Sequence, residues 1–367
     1  MTAKALVSFF TLRRSVVHLW YTPLMMKRAA AAIAFMIIAS CTSGVWAQGP
    51  DQRRIDSLLR VIDHSAKDTG KVSMLNECSY LISRTNPQKG LIYVRQALAM
   101  AEELNWPRGQ VVASDNAALC NNVLEDSASA RNCALRSMAI AQRINDTPGQ
   151  VMALTKLGYV AFIARRQKPE ARAYGTEALA LALRINDKKT RAFAYMHMGF
   201  LLDKKREFND AVHFDSLAIQ LFDSLHDRYS QAGALCNLGI EYSMMHDYAR
   251  EVEIDNMALA LLAEYDSSEY KAITLICLSD SYYQIHDYTR SLAPCLEGLA
   301  IDTRLGKKSI MADDHQRAAM AYIKLGKYEE ALRHANAAME LEMKIGDLYG
   351  RWVARRLQKR ITKHMPR

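Results

Sequence analysis

Glycine and proline are scarce in this chain, at 16 and 8 residues of 367. Few turn-formers, set beside abundant alanine, leucine and methionine, argue for helices rather than sheet. Catalytic signatures are also missing. No GxSxG, HExxH, Walker loop or GxGxxG occurs, and no nucleophile has a base at a motif-like spacing. The sequence is therefore read as a non-enzyme with no cofactor. Cysteine is present seven times, but never as CxxC and never with Cys/His ligand spacing, which argues against zinc. A large charge excess is lacking too. The formal charge is +9, yet residues 1–47 hold Lys4, Arg13, Arg14, Lys27 and Arg28 and no acid. The remainder carries 43 basic against 39 acidic residues, an ordinary surface and not a nucleic-acid footprint.

The N-terminus reads as a targeting segment, residues 1–47. Lys27 and Arg28 precede an apolar run of twelve, "AAAAIAFMIIAS" (29–40), and Val45 and Ala47 take the −3 and −1 places of a cleavage site. Twelve apolar residues fall short of the ~20 that span a bilayer. Residues 1–25 read as an upstream extension, because Met26 makes the better start. An alternative remains open: Ile38-Ala39-Ser40-Cys41 resembles a bacterial lipoprotein box, with Cys41 as the lipidated residue. In an exported chain the other six cysteines allow a disulfide. Cys236 and Cys277 are the candidate pair, since they hold nearly equivalent places in neighbouring units; otherwise the six are small buried thiols.

The dominant signal is a period of about 40 residues. Small residues recur at Cys78, Ala118, Gly158, Gly199, Gly239, Ser279 and Ala319. A second series runs Gly90, Ala130, Ala171, Ala211, Glu251, Ser291 and Ala331, and a third Ala97, Ser137, Ala178, Ala218, Ala258, Gly298 and Ala338. Each unit holds two stretches with apolar or small residues at three- and four-residue spacing, joined by a short polar turn. One helix pair cannot bury such a face alone, so the units must stack. "HDY" occurs twice, at 246–248 and 286–288, and invites a metal or acid–base reading. The period gives a plainer one. His246 and His286 stand where Gly326 stands in the last unit, Asp247 and Asp287 are placed to cap the second helix, and Tyr248 and Tyr288 start it. His226-Asp227 falls in a different column, between units. Asp313, Asp314 and His315 are expected at the start of a first helix, where acids favour the dipole.

The last unit, "AAMAYIKLGKYEEALRHANAAMEL", resembles the tetratricopeptide repeat family through Ala319, Tyr322, Gly326, Tyr328, Ala331 and Ala338. The resemblance covers about residues 71–351 and weakens in the first two units, where Leu81 and Asn121 replace an aromatic. It implies an all-α, right-handed α-solenoid of seven units: 71–110, 111–150, 151–191, 192–231, 232–271, 272–311 and 312–351. Residues 48–70 would form an N-terminal capping helix. Residues 352–367, basic and without an acid, would form a C-terminal capping helix and tail, solvated or, as the sharper idea, touching an anionic membrane or nucleic acid.

The resemblance also implies where a partner would bind. First helices of such repeats line the concave face, and in kinesin light chains an Asn there hydrogen-bonds the backbone of an extended peptide. The matching column here reads Asn76, Asn116, Lys156, His197, Asn237, Cys277 and Arg317, with Tyr159 and Phe200 as neighbours able to form pockets. An amide offers a donor and acceptors, as a peptide backbone does. The expectation is a protein- or peptide-binding scaffold, with these polar groups alternatively bracing neighbouring helices. The segment and the long units also look like bacterial proteins in which such arrays precede a histidine kinase. A sensory module of a two-component system is therefore the second reading.

Overall fold

The computed structural model describes residues 48–83, 86–124, 126–163, 168–202, 207–265 and 268–365. The expected targeting segment, with Cys41 and Ala47, lies outside them. Sixteen α-helices and no strand are found among the described residues. A leading helix α1 (Gln48–His64) precedes seven pairs. They are α2 (Thr69–Ser83) with α3 (Pro87–Glu103), α4 (Pro107–Val123) with α5 (Ser127–Arg143), and α6 (Thr147–Ile163) with α7 (Lys168–Ala182). Next come α8 (Lys188–Leu201) with α9 (Phe208–Ser224), and α10 (Arg228–Met244) with α11 (Tyr248–Leu261). Then follow α12 (Glu269–Gln284) with α13 (Tyr288–Leu305), α14 (Lys308–Lys324) with α15 (Tyr328–Ile345), and a closing α16 (Leu348–Thr362). The first helices start about one turn before the unit boundaries expected from the period, α4 at Pro107 for a boundary at 111 and α6 at Thr147 for one at 151.

The corners are built from one device. At the end of α10, His246 takes a left-handed φ of 63°, and the Asp247 amide donates back to the Tyr242 carbonyl at 2.9 Å. That is a Schellman closure, which satisfies carbonyls left orphaned at the helix end. The same Asp247 then caps α11, its Oδ1 accepting from the Arg250 amide. His286-Asp287 repeats this, with φ 67° and a bond to the Tyr282 carbonyl, and Gly326-Lys327 repeats the backbone part with φ 72°. Between units the left-handed residue is Asn105, Asn145, His226, Gly306 or Gly346. Both histidine corners are thus structural, as the period implied. Each adds a hydrogen bond between its Nδ1 and the hydroxyl of Tyr248 or Tyr288.

The three small-residue columns are buried throughout, from Cys78 and Ala97 to Ala331 and Ala338. A Cβ or nothing at these places lets partner helices close on one another, and larger neighbours fill what remains. Among the described residues the main contacts join helices adjacent in sequence and successive first helices. Seven first helices stand side by side, with the second helices outside. An apolar core runs through the first helices from Ile55 to Cys277. Its aromatic pairs include Phe162 with Phe200 at 4.4 Å, Phe193 with Phe222 at 4.8 Å and Tyr229 with Tyr270 at 4.7 Å between ring centroids. Asp313 and Asp314 prove to lie in the second turn of α14, which begins at Lys308, and both are buried. Packing, not the helix dipole, accounts for their setting.

Candidate functional site

The polar column sits on the first helices at the expected spacing, but its side chains do not stand open. Asn76, Asn116, Lys156, His197, Asn237 and Arg317 are all 1–3% exposed, and Tyr159 and Phe200 are at 2% and 5%. The reason is visible in their partners. Asn116 Nδ2 donates to the Asn76 carbonyl and to Ser79 Oγ, both at 2.9 Å, and Asn76 Nδ2 donates to the Gly109 carbonyl at 3.3 Å. Lys156 Nζ lies 3.2 Å from Asp115 Oδ1, and Arg317 Nε donates to both oxygens of Asp280 at 2.8 Å. Asn237 Nδ2 reaches Asp215 Oδ1 at 3.5 Å. Each contact crosses from one unit to the next, except that of Lys156 with the Met152 carbonyl in its own helix.

The expectation of amides lining an open groove is therefore corrected. The column braces adjacent units, and its pocket residues fill space. Tyr159 and Phe162 both meet Phe200, at 6.1 and 4.4 Å. His197 is buried beside Phe200 without a hydrogen-bond partner, its Nε2 2.5 Å from where a Cβ on Gly158 would stand. Burial alone pushes its pKa down to about 3, so it is neutral at ordinary pH. Arg317 and Asp280 form a buried ion pair at 3% and 7% side-chain exposure, the Nε–H shared between both carboxylate oxygens.

Beside this column lies a set of buried carboxyls, of which the period had placed only Glu251. Asp215 of α9 and Asp255 of α11 are 40 residues apart, fully buried, and face Gly199 and Gly239. A Cβ at either glycine would stand 2.4 or 2.6 Å from the acid, so the missing side chain makes the room. The pairing of Asp with Gly at one period was the signal available. Asp215 also meets Glu241 and Asn237, and burial raises its pKa to about 7. Glu251, a carboxyl at a small-residue place of the second column, is buried beside Ser243 and Ser281, and burial raises its pKa to about 8. Burial likewise raises Glu241 and Asp255. The Cys277 thiol hydrogen-bonds Cys236, which with burial raises its pKa, and all six described cysteines are free thiols. No group of three or more metal-ligating side chains occurs among the described residues.

No family model matches the sequence, and no curated protein does. Solved structures match the fold. A Rap protein complexed with competence and sporulation factor is 10% identical, with 86% of this chain and 99% of that one aligned at a TM-score of 0.57. A signal transduction ATPase from Pyrococcus horikoshii, described as having a tetratricopeptide repeat sensor, is 13% identical, with 85% of this chain and 53% of that one aligned at 0.54. The fold is a tetratricopeptide-like solenoid. Aspartyl phosphate phosphatase F from Bacillus subtilis aligns as well, 10% identical over 86% of this chain and 80% of that one at 0.51. A complex, a sensor and a phosphatase share this solenoid, so the fold by itself does not choose an activity.

The solenoid's surface is unequal at its two ends. Near α1, Ile55, Leu58 and Ile62 are buried against the first unit, and Arg54 pairs with Glu77 at 2.8 Å. At the other end Met343, Ile345, Leu348, Tyr349 and Trp352 are exposed by 38–75%. No helix of the described residues is long and apolar enough to cross a membrane.

Proposed function

We propose that the chain is a non-enzymatic, protein-binding scaffold exported to the cell envelope. One observation carries the reading: the sixteen helices of the described residues, packed mainly on near neighbours, make an extended rod, whose long surface is suited to a partner rather than to a buried reaction centre. The Rap complex and the tetratricopeptide sensor among the fold's relatives support it. Export rests on the basic start, apolar run and small-residue cleavage site before Gln48. The second reading, a sensory module of a two-component system, is favoured by the sensor named in the archaeal ATPase.

Two measurements test this. The tagged array should recover a partner from envelope extract that rebinds the purified solenoid saturably in calorimetry. Turnover of any hydrolytic substrate by the pure chain would overturn the scaffold reading. Mass spectrometry of the mature chain should find Gln48 at the N-terminus, or acylated Cys41 for the lipoprotein alternative. A cytosolic chain retaining residues 26–47 would remove export. Because the amide column is buried, Asn116→Ala with Asn237→Ala should lower stability while leaving affinity per folded molecule unchanged.

A further inference from the structure

In every complete unit the outward face of the first helix is covered by the second. The closing helix α16 is a first helix by register, and among the described residues nothing covers its outward face. Its inward face is ordinary: Gly350, Ala354, Leu357 and Ile361 are buried against α15. The outward face is not a face for another repeat. Lys359 stands where the column has Ala319, and Trp352 where α14 has Ala312, both of which are fully buried. A helix packed there would need small residues and would trap a lysine charge.

The exposed side chains instead divide along the helix. Leu348, Tyr349 and Trp352 occupy the first turns at 75%, 49% and 47% exposure, beside Met343 and Ile345 from the end of α15. Tyr349 stacks on Trp352 at 5.9 Å, and the Arg356 guanidinium lies 5.4 Å from the Trp352 ring. Arg355, Arg356, Lys359, Arg360 and Lys363 follow, all exposed, and α16 contains no acid. At 100° per residue Leu348, Trp352, Arg355, Arg356, Lys359 and Lys363 share one half of the helix surface.

We infer that this end of the solenoid docks on an anionic lipid surface, with the aromatic and aliphatic cluster at the acyl boundary and the cations on phosphate headgroups. Aromatic rings with one apolar body and one polar handle belong at that depth. Arginine and lysine reach from a helix flank to the headgroups. The field of an anionic leaflet adds to each cation's attraction. A nucleic acid would also draw the cations, but it offers no apolar depth for Leu348, Met343 and Ile345.

The test is flotation of the full chain with phosphatidylcholine vesicles, with and without phosphatidylglycerol. Binding should require the anionic lipid and fall with added salt. Arg355→Ala with Lys359→Ala should weaken partitioning ~30-fold, about fivefold for each cation removed. Trp352→Ser should weaken it at every salt concentration, including where screening leaves only the apolar part. All three side chains are exposed, so circular dichroism should show unchanged folding. Equal binding to neutral vesicles, no binding to anionic ones, unaltered binding by the double variant, or displacement of the vesicles by an oligonucleotide would each overturn the inference. Partner recovery in solution is read independently of this result.

Discussion

At the corners, histidine occupies a conformation that glycine adopts more cheaply. A left-handed backbone costs an L-residue ~1–2 kcal/mol, and glycine at most positions costs less than that through chain entropy. His246 and His286 offset part of the cost by bonding Tyr248 and Tyr288, but those bonds lie at an exposed surface. His246→Gly and His286→Gly should therefore each raise the unfolding free energy by about 0.5–1 kcal/mol. Urea titration reads this directly. A fall in stability would mean that the histidine–tyrosine bond outweighs the backbone, and a metal-dependent change would revive the site reading. This corner was legible because it is local: an orphaned carbonyl set, a left-handed residue and a capping acid occupy consecutive positions. His197 was not legible in the same way. Its place in a polar column gave Phe200, three residues on in α8, but not Gly158 of α6, whose missing side chain makes the room that His197 fills.

Between elements, the same chemistry that suits a peptide backbone suits a neighbouring helix. An asparagine cannot announce which it serves, because the answer depends on how closely the first helices approach. That approach is set by the columns of small residues and by Tyr159, Phe162 and Phe200, whose volumes fill the space a guest would need. The stacking order and the buried columns were thus readable from the period, while the openness of the inner face was not. The first helices begin about a turn before the unit boundaries drawn from the period, because the capping residues Asp187 and Asp227, and the proline at Pro107, outrank apolar periodicity at an N-terminus. The bracing role makes its own prediction at α12 and α14. Arg317→Ala leaves Asp280 buried beside Glu251 and should destabilise the array by about 3–5 kcal/mol. Arg317→Met with Asp280→Leu should recover most of that loss, since the desolvation of both charges disappears with the pair. Thermal melts of the single and double variants decide it. A mild single variant would show that Arg317 is not bracing the interface.

At the scale of the whole array, buried acids outnumber buried bases among the described residues: eleven carboxylic residues against Lys156, Lys307 and Arg317. Some are paired, as Asp115 is with Lys156, Glu269 with Lys307 and Asp280 with Arg317. The middle of the solenoid has a different composition. Asp215 faces Glu241 and Asn237, Glu251 faces Ser243, Ser281 and Asp280, and Asp255 faces Cys277 and Glu251. No cation is among those neighbours, so burial favours the protonated form of these carboxyls in the folded chain. In the unfolded chain such groups titrate near pH ~4, whereas in the folded chain Asp215 does so at about 7 and Glu251 at about 8. Between those limits the native state binds more protons than the unfolded one, so stability must fall as pH rises. The slope approaches about 1.4 kcal/mol per pH unit for each group still titrating. It should flatten once pH exceeds the folded values. Urea midpoints should therefore be higher at mildly acidic than at mildly alkaline pH, the reverse of a fold held by surface carboxylate pairs. Asp215→Asn with Glu251→Gln should flatten the dependence and stabilise the alkaline end, because neutral amides need no proton from solvent. An unchanged slope in that variant would place the dependence elsewhere and show that the central carboxyls reach water or a counter-charge when ionised.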